Sequence, residues 1–156
     1  MNANEKLITK FYTCFQNKDY KGMQACYTDD ATFSDAVFVN LDAKQVRAMW
    51  EMLLRTGKDL ALEFKDVSAN EIKGGATWIA TYTFSRSGNK VVNFIKAEFL
   101  FESGKIKKHT DHFNFYTWAR QALGMTGVLL GWTSFLKQKI RDTAAKNLKE
   151  FMEKNK

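Results

Sequence analysis

The chain contains no proline, and only two histidines and two cysteines among its 156 residues. Without proline there is no cis X–Pro step and no proline kink, so helix breaks must come from glycine and from capping side chains. The two cysteines, Cys14 and Cys26, both lie in apolar, helix-like patterns and are read as buried free thiols. No run of 18 apolar residues exists, so no stretch has the length and hydrophobicity of a membrane span. The opening residues MNANEKLITKFY hold no hydrophobic leader segment, and a cytoplasmic protein is expected. His109 and His112 are spaced so that a strand points them to opposite faces, and no cysteine cluster exists, so no metal site is expected. There is no Gly-rich phosphate loop, no GxSxG elbow and no dinucleotide fingerprint, and no cofactor is expected.

What is present suits one folded domain over residues 1–156. At this length folding buries roughly 70% of the unfolded chain's surface. The 14% of aromatic residues supply bulky material for the core. The net charge of +7 is unevenly placed. Residues 1–104 hold 13 basic and 13 acidic side chains, whereas residues 105–156 hold 11 basic and 4 acidic ones. A uniformly basic nucleic-acid binder would not divide this way, and no nucleic-acid partner is expected. The pattern is that of a neutral body with a basic tail.

Periodicity orders the body. Leu7, Ile8, Phe11, Tyr12, Cys14 and Phe15 form one helical stripe behind a cap at Asn4. Asp19 caps a short helix from Tyr20 to Tyr27. Thr32–Phe33 and Val37–Val39 read as short extended pieces around Asp35. Asp42 caps a helix over Ala43–Arg55 that buries Val46, Met49, Trp50, Leu53 and Leu54, with Gly57 after it. From Leu60 the period becomes two. Strands follow over Leu60–Lys65, Ala76–Arg86 and Val91–Glu102, with turns at Gly74-Gly75 and Ser87-Gly88-Asn89. In the third of these strands Asn93 shares the apolar face with Ile95, Ala97, Phe99 and Phe101.

The residues GKIKKHTDHFNFYTWAR, Gly104–Arg120, read as a turn and one long strand. Alternation puts His109 and Asp111 on one face with Phe113 and Phe115, and His112 on the other. An imidazole beside a carboxylate can share a proton or position a water. The same two side chains could equally be a satisfied polar pair supporting the sheet. A bulge between Lys107 and Asp111 would exchange the faces. The whole order is three helices followed by at least four antiparallel strands, an α+β arrangement.

Two stretches, YTDDATFSDAVF (27–38) and FESGKIKKHTDHFNF (101–115), in this order and separation, resemble the SnoaL-like, ketosteroid-isomerase-like branch of the NTF2-like superfamily. The resemblance covers about residues 4–120. It implies a cone: a curved antiparallel sheet wrapped around the N-terminal helices, open at its wide end, commonly as a homodimer. It also implies acid/base work on a small apolar compound of steroid or polyketide type by an isomerase, cyclase or hydratase-type enzyme. The superfamily also contains non-catalytic ligand-binding and protein-interaction modules. Asp35 stands where the family places a proton-shuttling base, and the plain reading of the same residue is a turn-capping aspartate. His109 and Asp111 match the family's His-x-Asp pattern and complete the catalytic candidates. Asn93, Tyr12, Tyr27, Trp50, Trp78, Tyr82 and Phe113 are candidates for the ligand-binding lining, although aromatics at such spacings also serve as plain core. Neither the isomerase oxyanion pair nor the epoxide-hydrolase Asp-Arg-Asp set is matched.

Residues 121–156 read as an apolar, then basic, helical extension. LGMTGVLLGWTSFL, residues 123–136, is broken by three glycines and too short to span a bilayer. Ser134 can cap a final helix to about Glu153, whose lysines lie mostly off its apolar stripe. The default for that face is solvent. The sharper alternative is a surface that meets an anionic membrane or an acidic ligand, because Leu129, Leu130, Trp132 and Phe135 adjoin it.

Overall fold

These patterns resolve into six helices and five strands in the computed structural model, which describes residues 1–156. Helix α1 (Ala3–Gln16) is capped by Asn2, whose side chain accepts from the Glu5 N–H. Asn4, the expected cap, instead donates across to the carbonyls of Asn70 and Glu71. Helix α2 (Tyr20–Gln24) is shorter than expected, because Tyr27 already opens strand β1 (Tyr27–Ser34). Helix α3 (Ala43–Thr56) starts with a reciprocal capping box between Asp42 and Gln45.

Strands β2 (Ala61–Ala69), β3 (Lys73–Phe84), β4 (Asn89–Glu102) and β5 (Lys105–His112) form an antiparallel meander. The sheet order is β1-β5-β4-β3-β2, and β1 joins β5 in parallel. The antiparallel expectation therefore holds for four strands and fails at this one edge. A parallel neighbour needs a long crossover, here the whole segment from α3 to β4. Gly74 and Gly75, expected as a turn, lie inside β3. The turn is made by Asn70, whose side chain accepts from the N–H groups of Ile72 and Lys73. A Cβ at Gly75 would stand 2.8 Å from the Ala97 carbonyl oxygen of the neighbouring strand, so the backbones approach too closely there for a side chain.

The long strand expected through Arg120 ends at His112. Asn114 accepts from the Thr117 N–H and starts helix α4 (Phe115–Leu123). Phe115 is therefore a helix residue and does not continue the strand's inner face. Helix α5 (Met125–Leu130) and helix α6 (Ser134–Lys154) follow, the latter capped by Thr133 rather than Ser134.

The main core lies between the inner sheet face and α1 and α3, and it includes Phe11, Phe15, Trp50, Trp78 and Phe99. A second, smaller cluster of Val91, Phe115, Trp118, Ala119 and Ala122 is built where α4 meets the Val91 end of β4. α6 serves both: Leu148 belongs to the main core, and Ile140 packs on the smaller cluster. The extension is thus part of the packed body.

Candidate functional site

The alternation in β5 sets the site. His109 and Asp111 turn inward and are 1% and 3% exposed, while His112 faces out beside Glu98 at 3.2 Å. One extra residue, Lys107, falls opposite the Leu100–Phe101 step. It lies before His109, so the alternation from His109 onward is undisturbed.

A directional hydrogen-bond chain runs through the pair. Trp50 Nε1 donates to the Tyr27 hydroxyl at 2.9 Å, and Tyr27 lies 2.7 Å from His109 Nδ1. His109 Nε2 lies 2.9 Å from Asp111 Oδ1, which also receives Trp78 Nε1 at 3.4 Å. A carboxylate at Asp111 can only accept. The imidazole proton then sits on Nε2, and Nδ1 accepts from Tyr27. Phe33 and Phe99 pack on the imidazole with ring centroids 4.8 and 4.5 Å away.

The parallel register of β1 on β5 pairs Phe33 with His109 and Ser34 with Thr110 and ends there. Asp35 is the next residue, where the chain turns off the strand with its N–H on the Phe38 carbonyl, near enough for the Asp111 charge to act on it. Asp35 Oδ1 accepts from the N–H groups of Val37 and Phe38 at 2.7 and 2.6 Å. It therefore caps its own turn with one oxygen, and it remains half-buried rather than sealed. Burial pushes its pKa up to about 7, against the two N–H bonds that favour the charge; Asp111 pushes the same way as burial and Arg141 against it. Arg141 comes from α6, and its Nε donates to the Ala36 carbonyl at 2.9 Å. Nothing local in the sequence marks Arg141, which lies 105 residues from its partner.

The expected lining residues divide. Tyr12, Tyr27, Trp50 and Trp78 are packed core, not walls of an open pocket: the first three meet Phe11 edge to face, and Trp78 lies tilted on Phe15. Close packing of large rings on one another fills the inner cone where a pocket was expected. Among them only the Tyr12 hydroxyl is buried without a hydrogen-bond partner. Burial holds its pKa well above the usual range, and Asp111 adds to this. Asn93 is 7% exposed on the inner face of β4, between Ile95 and Val91. Tyr82 and Phe113 are partly buried and pack against both clusters, and Tyr82 accepts from Trp118 Nε1 at 2.7 Å. Burial raises the Tyr82 pKa, and nearby Asp35 contributes to it. No three His, Cys, Asp or Glu side chains gather as a metal-binding group. An open groove of about 750 Å³ lies elsewhere, along the outer sheet face between Asn70, Lys73, Glu98, Leu100, Lys108 and Thr110.

The chain is similar to known proteins on two grounds. A family model described as a SnoaL-like domain matches residues 8–109. Among solved structures, an NTF2-like protein of unknown function from Burkholderia pseudomallei superposes with a TM-score of 0.68 at 16% identity, covering 78% of this chain and 98% of that one. A candidate polyketide cyclase from Xanthomonas campestris pv. campestris gives 0.62 at 20% identity, with 76% and 96% covered. An LEH-like epoxide hydrolase from M. tuberculosis gives 0.61 at 16% identity, with 82% and 96% covered. At these identities the structures speak for the fold alone. No curated protein matches in sequence.

Proposed function

The chain belongs to the SnoaL-like domain family, and from that premise we propose that it is a general acid/base enzyme acting on a small apolar compound of polycyclic or polyketide type. The nearness of Asp35, one residue beyond the β1–β5 pairing, to the buried His109–Asp111 pair carries this reading. Asp35 is the proton carrier. A carboxylate that is half ionised near neutral pH can take a proton from carbon beside a carbonyl and return it. Burial keeps that proton affinity high, and the nearby Asp111 adds to it. His109, oriented by Tyr27, holds Asp111 in place. Two structural relatives described as a candidate polyketide cyclase and an epoxide hydrolase are consistent with this class of chemistry on the same fold. The reading includes a homodimer joined by the outer sheet face.

The experiment is proton exchange in D2O with a panel of aromatic 1,3-dicarbonyl compounds, followed by mass spectrometry. Deuterium should enter the acidic carbon faster with wild-type protein than in buffer alone. Asp35→Asn should slow this by about 10²–10⁴-fold while ligand affinity holds. One observation favours a second reading: the rings packed around His109 leave the inner cone filled. In it the protein holds an apolar ligand at the mouth without turning it over. Equal binding by both proteins, with neither raising exchange above the buffer rate, would select that reading.

A further inference from the structure

Helix α5 is oriented unlike an ordinary amphipathic surface helix. Its small residues face the protein and its large apolar residues face out. Gly127 is buried against α4, where an added Cβ would stand 1.9 Å from the Ala119 carbonyl oxygen. An added Cβ at Gly131 would meet Gly127 O at 2.3 Å and Tyr116 at 3.0 Å. Both contacts fix α5 on α4 through glycine, so its large side chains cannot roll inward. Met125, Val128, Leu129 and Leu130 are exposed, and beside them Trp132 and Phe135 are 74% and 73% exposed. Six large apolar side chains within eleven consecutive residues form a patch of the kind that marks an interaction site.

Two further observations say what covers it. Every carbonyl of the last turn of α5 is already bonded within the protein. Gly127 O accepts from Gly131 N–H, Val128 O from the Tyr116 hydroxyl and Leu129 O from Trp132 Nε1. Leu130 O accepts from both the N–H and the hydroxyl of Thr133. A helix end in water needs no such partners, whereas one placed where water is scarce must satisfy these groups internally. The charge is also one-sided. From His112 to Arg141 there is no Asp or Glu, while Arg120, Lys137, Lys139 and Arg141 fall in that span. The β3–β4 hairpin is tied to this end by Ser87 and Asn89, which donate to the Ala122 carbonyl, and it brings exposed Arg86 and Lys90. A second copy would bring the same positive charges to the patch, whereas an anionic lipid headgroup layer would neutralise them.

We propose that the α5–Trp132–Phe135 knob is a docking surface for anionic lipid bilayers, which inserts its apolar side chains at the level of the headgroups. No helix of the protein is long and apolar enough to cross a membrane, so the attachment is peripheral.

The protein is centrifuged with phosphatidylcholine vesicles, with and without 30 mol% phosphatidylglycerol (about a third anionic lipid, enough to give a strong surface potential). Binding should be strong on the anionic vesicles, weak on the neutral ones, and lowered by salt. Trp132 emission should shift to the blue on binding, because the other three tryptophans are already buried. Trp132→Ser with Phe135→Ser should lower partitioning by about tenfold or more, with unchanged circular dichroism. Lys137→Glu with Lys139→Glu should lower it as well, on anionic vesicles only. No sedimentation with anionic vesicles at low salt overturns the proposal. So does a dimer in sedimentation velocity that the Trp132→Ser, Phe135→Ser protein loses while vesicles bind neither protein, since the occupant is then a second copy.

Discussion

Asp35 retains its proton up to about pH 7 because burial penalises its charge. In the unfolded chain the same carboxyl ionises near pH ~4. Between these values the folded protein binds more protons than the unfolded one, so this residue lowers stability as pH rises. Asp35→Asn keeps an oxygen to accept from Val37 and Phe38 but removes the titration. The variant should be more stable than wild type at pH 8 by about 2 kcal/mol, a figure discounted because the side chain is half-buried. The difference should vanish at pH 4. Urea denaturation at both pH values checks this, and equal pH slopes for the two proteins would count against a raised Asp35. Tyr27 is the second decisive residue. Tyr27→Phe leaves Trp50 Nε1 and His109 Nδ1 without their shared partner in a sealed interior. It should cost about 1–3 kcal/mol at neutral pH, read from the same denaturation curves.

At the scale of elements, the parallel β1–β5 pairing and helix α6 shape the site together. The pairing supplies Asp35, and α6 holds the loop that carries it, through Arg141 on the Ala36 carbonyl and Ile140 in the apolar cluster. Arg141 also favours the Asp35 carboxylate electrostatically. Arg141→Gln should therefore raise the Asp35 pKa above its present value of about 7. A carboxyl-carbon NMR titration of the single site checks this, independently of any substrate. An unchanged titration would show that α6 only packs. The sequence pattern for α6, an amphipathic helix with its lysines off the stripe, is legible in the chain. Its attachment to the Asp35 loop is not, because no local spacing encodes a contact over so many residues.

At the scale of the molecule, the outer sheet face carries the homodimer proposal. Phe94 is exposed there, and Val92 and Leu100 are partly so, beside Glu98 and Lys108. Two copies related by a twofold axis could pair these charges and cover Phe94. Sedimentation velocity should find a dimer of the wild type, and Phe94→Asp should shift it to a monomer with its spectrum unchanged. A wild type that stays monomeric at high concentration would remove this part of the proposal. The outer face lies apart from the lipid-docking knob, so the two tests are separate.

Which face each strand residue takes is legible in the chain. In β5 the period of two places His109 and Asp111 inside and His112 outside, since one residue sets the direction of the next. Asp42 and Asp19 mark helix starts for an equally local reason: the cap bonds a backbone N–H within three residues. Local signals also misled. Gly74-Gly75 reads as a turn, yet those glycines serve the close approach of β3 to its neighbours. Phe113–Trp118 reads as strand, yet Asn114 caps a helix. Long-range packing alone brings the Asp35 loop to the end of β5, packs the rings of Trp50, Trp78 and Phe99 into the inner cone, and turns the apolar side of α5 outward. Each of these depends on backbones meeting across long stretches of chain. Such meetings are set by strand pairing and by the volume available between packed elements, and not by the order of neighbouring residues.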